Sequence, residues 1–203
     1  MIKNIVFDMG NVLLPFQPQT YLDTFVETDI DKELLMQEVF HSLEWLQMDT
    51  GDLDIPEALA SVQERLPERL HEVARRLFYE WPEILPPIEG MEALVLELKG
   101  RGLHTYLLSN VGRYFYDIRR HAPAIRHMDG ELISADCRIV KPFPGIYHEL
   151  FDKFGLVPGE CYFVDDSSLN IYGAMQVGMD GFVFHGDVDA LRHKLREKGV
   201  LPQ

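Results

Sequence analysis

The sequence predicts an α/β protein, a doubly wound parallel sheet into which a small helical bundle is inserted. Three observations predict it. Short apolar runs, of the length of strands buried on both faces, recur along the chain. In the second half, segments with helical spacing alternate with those runs, the order that builds a parallel sheet covered by helices. Between about Pro15 and Pro87, by contrast, only helical patterns appear.

In chain order, residues 4–7 (NIVF) form the first predicted strand. Helical patterns follow over 21–27, 32–45, 56–66 and 68–79, room for a small four-helix bundle. Pro15 and Pro18 bound it on one side, and Pro82, Pro86 and Pro87 on the other. The tryptophans, phenylalanines and leucines inside it read as bundle core. Residues 91, 94, 95 and 98 are apolar at helical spacing, and Gly100-Arg101-Gly102 closes that helix. Further strands are predicted at 105–108, 162–164 and 182–184. Further helices are predicted at 143–154, 167–177 and 187–198, each stopped by a glycine. The expected domains are a Rossmann-like core of residues 1–15 and 87–203 and a helical domain of residues 16–86.

The chain has 203 residues, 46% hydrophobic and 26% charged, the balance of a folded globule with a sizeable core. Its net charge is −14, and its longest basic runs are the pairs Arg75-Arg76 and Arg119-Arg120. That field repels phosphate backbones, so no nucleic-acid partner is expected. Cys137 and Cys161 have no metal-type spacing and read as reduced, buried thiols. No apolar run approaches the ~20 residues of a membrane span, and the N-terminus runs straight into strand pattern. The expectation is a soluble cytoplasmic protein, monomer or homodimer. No Walker-type or dinucleotide glycine loop is present, so neither ATP nor NAD is expected.

In a doubly wound sheet, ligands bind beyond the carboxyl ends of the strands. Asp8 ends the first apolar run, Ser109 and Asn110 follow the second, Lys141 precedes a helix, and Asp165 and Asp166 end a later run. Singly, each has a structural explanation: turn residues, a loop lysine, a helix N-cap. Together, three converging carboxylates repel unless a cation sits among them, and Mg²⁺ is the hard divalent ion that such oxygens hold.

The segments FDMGNVLL, LLSN, VKP and FVDDSSLNIYGA resemble, in order, the four motifs of the haloacid dehalogenase-like superfamily. The helical insertion lies where one subclass of that superfamily carries a cap. The resemblance implies that Asp8 is a nucleophile forming an aspartyl-phosphate that water later hydrolyses. It implies that Asp8, the Gly10 carbonyl and Asp166 hold Mg²⁺. Ser109, Asn110, Lys141 and the backbone N–H groups near Met9 and Gly10 would bind the phosphoryl oxygens. Asp165 would orient Lys141, and Asn170 would support the metal shell through water. Positive charge on the equatorial oxygens is what phosphoryl transfer chiefly needs.

One position departs from the pattern. Phosphatases of this superfamily usually have an aspartate two residues after the nucleophile as the acid/base, and here that residue is Gly10. General acid–base catalysis is typically worth ~10²–10⁴-fold. Three readings follow. A phosphatase could act on an ester that leaves easily, such as a sugar 1-phosphate; FD-x-GNV with LSN-x-x-R also resembles a glucose-1-phosphatase-like branch lacking the same aspartate. His41, Glu44 or Asp49 in the insertion could substitute for it. A dehalogenase is disfavoured, because residues 9–20 hold no cation for a halide. A binding or scaffold protein could retain the pocket without turnover. Arg113 and Trp45 are candidate substrate contacts, whereas Tyr114 reads as packing in the next helix.

Overall fold

The computed structural model describes residues 1–202. Five parallel strands form one sheet in the order β3-β2-β1-β4-β5: β1 Asn4–Phe7, β2 His104–Ser109, β3 Gly130–Ile133, β4 Cys161–Asp165 and β5 Asp180–Val183. β1 is central, pairing in register with β2 (Phe7 opposite Leu107) and with β4 (Phe7 opposite Val164). All four residues of β1 are buried, as expected for a strand covered on both faces.

Between β1 and β2 the chain runs through α1 Pro18–Phe25, α2 Asp29–Leu35, α3 Leu43–Asp49, α4 Ile55–Arg65, α5 His71–Tyr79, the single turn α6 Trp81–Ile84 and finally α7 Met91–Gly100. Beyond β2 lie the short α8 Phe115–Ile118 and α9 Ser134–Cys137, then α10 Pro144–Phe154, α11 Ser168–Gln176 and α12 Val188–Glu197. No helix among the described residues is long and apolar enough to cross a membrane.

Side chains alternate across the sheet with period two. Ile5 and Phe7 join Leu107, Tyr162 and Val164 on one face, and that apolar cluster continues without a break into Trp45, Ala58, Leu77, Phe78 and Trp81 of the inserted helices. Val6, Leu108 and Phe163 face the other side, under Ile146, Tyr147 and Leu150 of α10.

Two expectations are corrected. The helix expected over 32–45 is broken: α2 passes through a π-helical turn, Met36–Phe40, and the chain restarts at Ser42. The Ser42 hydroxyl accepts the Trp45 N–H at 3.1 Å, capping α3. Strand β3 was not expected. Its sequence, GELI, has only two apolar residues, and as an edge strand it is only half buried.

Candidate active site

Parallel strands put their carboxyl ends along one edge, and the site lies there. Asp8 is the first residue beyond β1; its N–H still donates to Val164 O at 2.9 Å, and its carboxylate accepts the Met9 N–H at 2.7 Å. The chain then folds back sharply. The Met9 carbonyl accepts from Leu13 and Leu14 at 2.8 and 3.0 Å, so these bonds leave the Gly10 carbonyl unused. Asn11 turns the corner at φ 53°, a left-handed conformation that asparagine tolerates. Its amide donates to Asp166 Oδ2 and accepts from the Phe16 N–H, both at 2.9 Å.

Lys141 is fixed by main chain and side chain alike. Asn110 grips its backbone at two points, accepting the Lys141 N–H at 2.8 Å and donating to the Lys141 carbonyl at 3.0 Å. Its ammonium donates to Asp165 Oδ2 at 2.7 Å and to Leu108 O at 2.9 Å, and lies 2.8 Å from Asp8 Oδ1. Every ammonium proton thus has an acceptor. Asp165 is as fully used: Oδ1 also accepts from the Ser167 N–H at 2.8 Å and the Asn170 amide at 2.9 Å.

Burial pulls the Lys141 pKa down, but Asp8 and Asp165 more than offset it, so the ammonium is held charged. Asp8 is pushed up to about 7, chiefly by burial, with repulsion from Asp165 and Asp166 adding to it and Lys141 opposing. Asp8, Asp165 and Asp166 each offer one oxygen, all within 4.8 Å of one another. With Asp165 occupied by its partners, the available donors are Asp8, Asp166 and the Gly10 carbonyl. Three clustered carboxylates against one ammonium leave an excess of negative charge, and the all-oxygen set fits a hard divalent cation.

These groups form the floor of a cavity of about 180 Å³. The Ser109 hydroxyl reaches it and has no hydrogen-bond partner among the described residues. The roof comes from the insertion and from the loop after β2: Phe16, Trp45, Trp81, Tyr114 and one carboxylate, Asp49. Phe16 packs between the two tryptophans, its centroid 5.6 Å from Trp45 and 5.1 Å from Trp81.

Asp49 ends α3, and its side chain has no hydrogen-bond partner among the described residues. Burial pushes it up to about 7, the charge of Asp8 adds to that, and Lys141 opposes. Its backbone is anchored to the core: the Ser134 hydroxyl donates to Asp49 O at 2.5 Å and accepts the Val111 N–H at 2.9 Å. Two residues on, Arg113 donates to Gly51 O at 3.0 Å.

Several expectations change. Arg113 does not line the cavity; it ties the loop after β2 to the insertion. His41 is exposed and outside the cavity. Glu44 is buried away from it, bonded to Arg65 at 2.8 and 2.9 Å and to Ser61. Arg65 and Ser61 hold its carboxyl down at about 2, so it keeps no proton to donate. The Asn110 amide is committed to the Lys141 backbone instead of facing a ligand, and the Asn170 amide nitrogen donates to Asp165. Tyr114, read from sequence as packing, lines the cavity. Phe16, Trp81 and Asn11 were not anticipated; only the Gly10-Asn11 turn signal could have marked one of them.

A family profile described as haloacid dehalogenase-like hydrolase matches residues 2–178. The chain is 27% identical over 180 residues to the sesquiterpene phosphatase of Aspergillus oryzae, spanning 88% of each protein. It is 22% identical over 191 residues to the D-ribitol-5-phosphate phosphatase of Bacteroides thetaiotaomicron, spanning 90% of this chain and 91% of that one. A haloacid dehalogenase family enzyme from the same bacterium superposes with a TM-score of 0.73 at 20% identity, over 94% of this chain and 98% of that one. That enzyme has also been crystallised with magnesium and inorganic phosphate.

Proposed function

This chain belongs to the haloacid dehalogenase-like hydrolase family, and on that premise we propose that it is a Mg²⁺-dependent phosphomonoesterase acting on a small phosphorylated metabolite, in the first instance a sugar phosphate. The observation that carries this reading is Asp8, its carboxylate 2.8 Å from the Lys141 ammonium with Asp165 and Asp166 beside it. Fold stability asks for no such cluster, because buried like charges cost free energy unless something compensates them.

Asp8, the Gly10 carbonyl and Asp166 would hold Mg²⁺, which when bound supplies positive charge against the phosphoryl oxygens. Asp8 attacks phosphorus, the bond to the leaving oxygen breaks, and an aspartyl-phosphate forms. Lys141 and the Ser109 hydroxyl neutralise and orient the equatorial oxygens, with the backbone N–H groups of Met9 and Gly10 alongside. Asp165 and Asn110 keep Lys141 in place. Water then hydrolyses the acyl phosphate and restores the Asp8 carboxylate. The segment 16–86 acts as a cap that roofs the cavity and excludes bulk water.

The cavity size supports a small substrate. At ~10–15 Å³ per water it has room for roughly 12–18 waters, hence a ligand of about that many heavy atoms. The D-ribitol-5-phosphate phosphatase relative accords with a polyol or sugar phosphate, and with Gly10 contributing no acid, a sugar 1-phosphate suits the floor best. The roof favours a second substrate reading. Phe16, Trp45, Trp81 and Tyr114 are suited to an apolar body, and the Aspergillus oryzae relative is a sesquiterpene phosphatase.

The test is phosphate release with Mg²⁺ from a panel holding sugar 1-phosphates, polyol phosphates, prenyl phosphates and p-nitrophenyl phosphate, run beside Asp8→Asn. Turnover that the variant abolishes supports the reading. Silence across the panel would leave a Mg²⁺/phosphate-binding scaffold in its place.

A further inference from the structure

Breaking an alkyl phosphate ester leaves an alkoxide unless a proton arrives, and the second step must take a proton from water. Among the groups lining the cavity, most are unavailable for that exchange. Every proton of Lys141 already has an acceptor. Asp165 is enclosed by Lys141, Ser167 and Asn170. Asp8 is the nucleophile, and Asp166 accepts from Asn11 within the metal set. The phenol of Tyr114 is pushed well above its ordinary value by burial, so it yields no proton readily. Gly10 has no side chain.

One carboxyl remains. Asp49 enters from the roof, opposite the floor that holds Asp8, and it is the cavity's carboxylate with no hydrogen-bond partner among the described residues. Its backbone is not free to wander. The Ser134 hydroxyl bridges Asp49 O to the Val111 N–H in the core, and the neighbouring Gly51 packs so tightly on Ala135 that a Cβ there would run into the Ala135 carbonyl. The inserted helices therefore deliver this acid only while they are seated on the core.

We propose that Asp49 is the general acid and base of the reaction, supplied by the cap in place of a side chain at position 10. The proposal rests on the reading of Asp8 as nucleophile. In the first step an Asp8 oxygen bonds to phosphorus, the bond to the leaving oxygen breaks, and the Asp49 proton goes to that oxygen, releasing an alcohol. In the second, the Asp49 carboxylate takes a proton from water as the water oxygen bonds to phosphorus. The bond between phosphorus and Asp8 then breaks, and inorganic phosphate leaves. Asp49 ends protonated, ready for the next ester. An Asp49 carboxyl raised by burial to near neutral pH accords with both roles.

The test compares Asp49→Asn with the parent enzyme, with Mg²⁺, on p-nitrophenyl phosphate and benzyl phosphate. Nitrophenolate leaves without a proton, whereas benzyl alkoxide needs one. The variant is expected to lose ~10²–10⁴-fold in single-turnover cleavage of benzyl phosphate and far less in the nitrophenolate burst, with steady-state turnover of both slowed at the second step. Adding Gly10→Asp to Asp49→Asn is expected to recover benzyl phosphate cleavage at least tenfold. A Cβ at Gly10 would meet only Phe16 Cβ, at an ordinary 3.8 Å, so the substitution starts without a clash at the backbone. Equal losses on both esters with no rescue would mean that Asp49 only shapes the roof, and rates within threefold of the parent would also overturn the proposal. Asp8→Asn separates the two readings: if it keeps turnover, the nucleophile assignment itself has failed, whatever Asp49 does.

Discussion

Lys141 is a buried cation held by two carboxylates. Its ammonium lies between Asp8 and Asp165 with 1% of the side chain exposed. Lys141→Ala leaves two buried carboxylates facing each other, a loss of about 3–5 kcal/mol by analogy with broken buried pairs. Urea unfolding without metal is expected to show that loss, and phosphate release is expected to fall to background. Asp8 carries the matching pH dependence. Its pKa is raised from 3.8 to about 7, and a metal ligates only the ionised form. Mg²⁺ binding followed by calorimetry is therefore expected to tighten up to tenfold per pH unit below about 7 and to level off above it. Flat affinity between pH 5.5 and 8 would remove Asp8 from the metal set. These residues were legible in the sequence because each lies at or next to a strand end or on a motif loop. The committed amides of Asn110 and Asn170 were not, because a side chain's type does not say which partner it finds first. Asp49 stood in the sequence only as one of three candidates, with His41 and Glu44; its neighbours separate it from Glu44, which Arg65 holds ionised.

The short β3 and the turn after α3 depend on each other. Ser134, the first residue beyond β3, reaches the carbonyl of Asp49, and Gly51 sits at φ +71° against Ala135. Nothing in GELI marks a strand, since an edge position with half its residues partly exposed needs no apolar run. The break between α2 and α3 was hidden for the opposite reason: helical periodicity continues through residues 36–40, and only the Ser42 cap betrays the restart. The fully buried β1 and β4 were readable because burial on both faces demands continuous apolar sequence. Gly51→Ala tests the seam. Left-handed strain plus the collision with Ala135 is expected to cost about 2–3 kcal/mol and to reduce kcat/KM by at least tenfold, because the turn that carries Asp49 shifts. Gly155→Ala is the control, with φ +65° and no atom within 4 Å of its added Cβ. It is expected to cost about 1 kcal/mol of stability and leave kcat/KM unchanged. Equal kinetic effects from the two would mean that the seam has no bearing on the site.

Domains within one chain usually move relative to each other unless a large apolar interface joins them. Here the cluster that covers one face of the sheet runs on into the inserted helices, with Ile5 and Phe7 at one end and Phe78 and Trp81 at the other. The sequence marked two domains because the strand pattern stops and restarts, yet it could not show that they share one core, since that depends on packing between residues far apart in the chain. A shared core predicts one cooperative unfolding transition. Both tryptophans of the chain, Trp45 and Trp81, lie in the insertion, so their fluorescence reports the cap, while amide exchange in β1 and β4 reports the sheet. The two transitions in urea are expected to coincide; an earlier fluorescence change would mean that the cap melts alone. Mg²⁺ with inorganic phosphate is expected to raise both together. At a hundredfold excess over Kd the gain is about 2.7 kcal/mol, or roughly 5–10 °C in Tm for a chain of this length. The sign of its pH dependence follows from Asp8 and Asp49, both raised to about 7. In the free protein their contribution to stability is complete below pH 3.8 and is lost as pH rises through 7. Bound metal relieves that loss at Asp8, so the stabilisation by Mg²⁺ is expected to be larger at pH 8 than at pH 5.5, and Asp8→Asn is expected to abolish the difference.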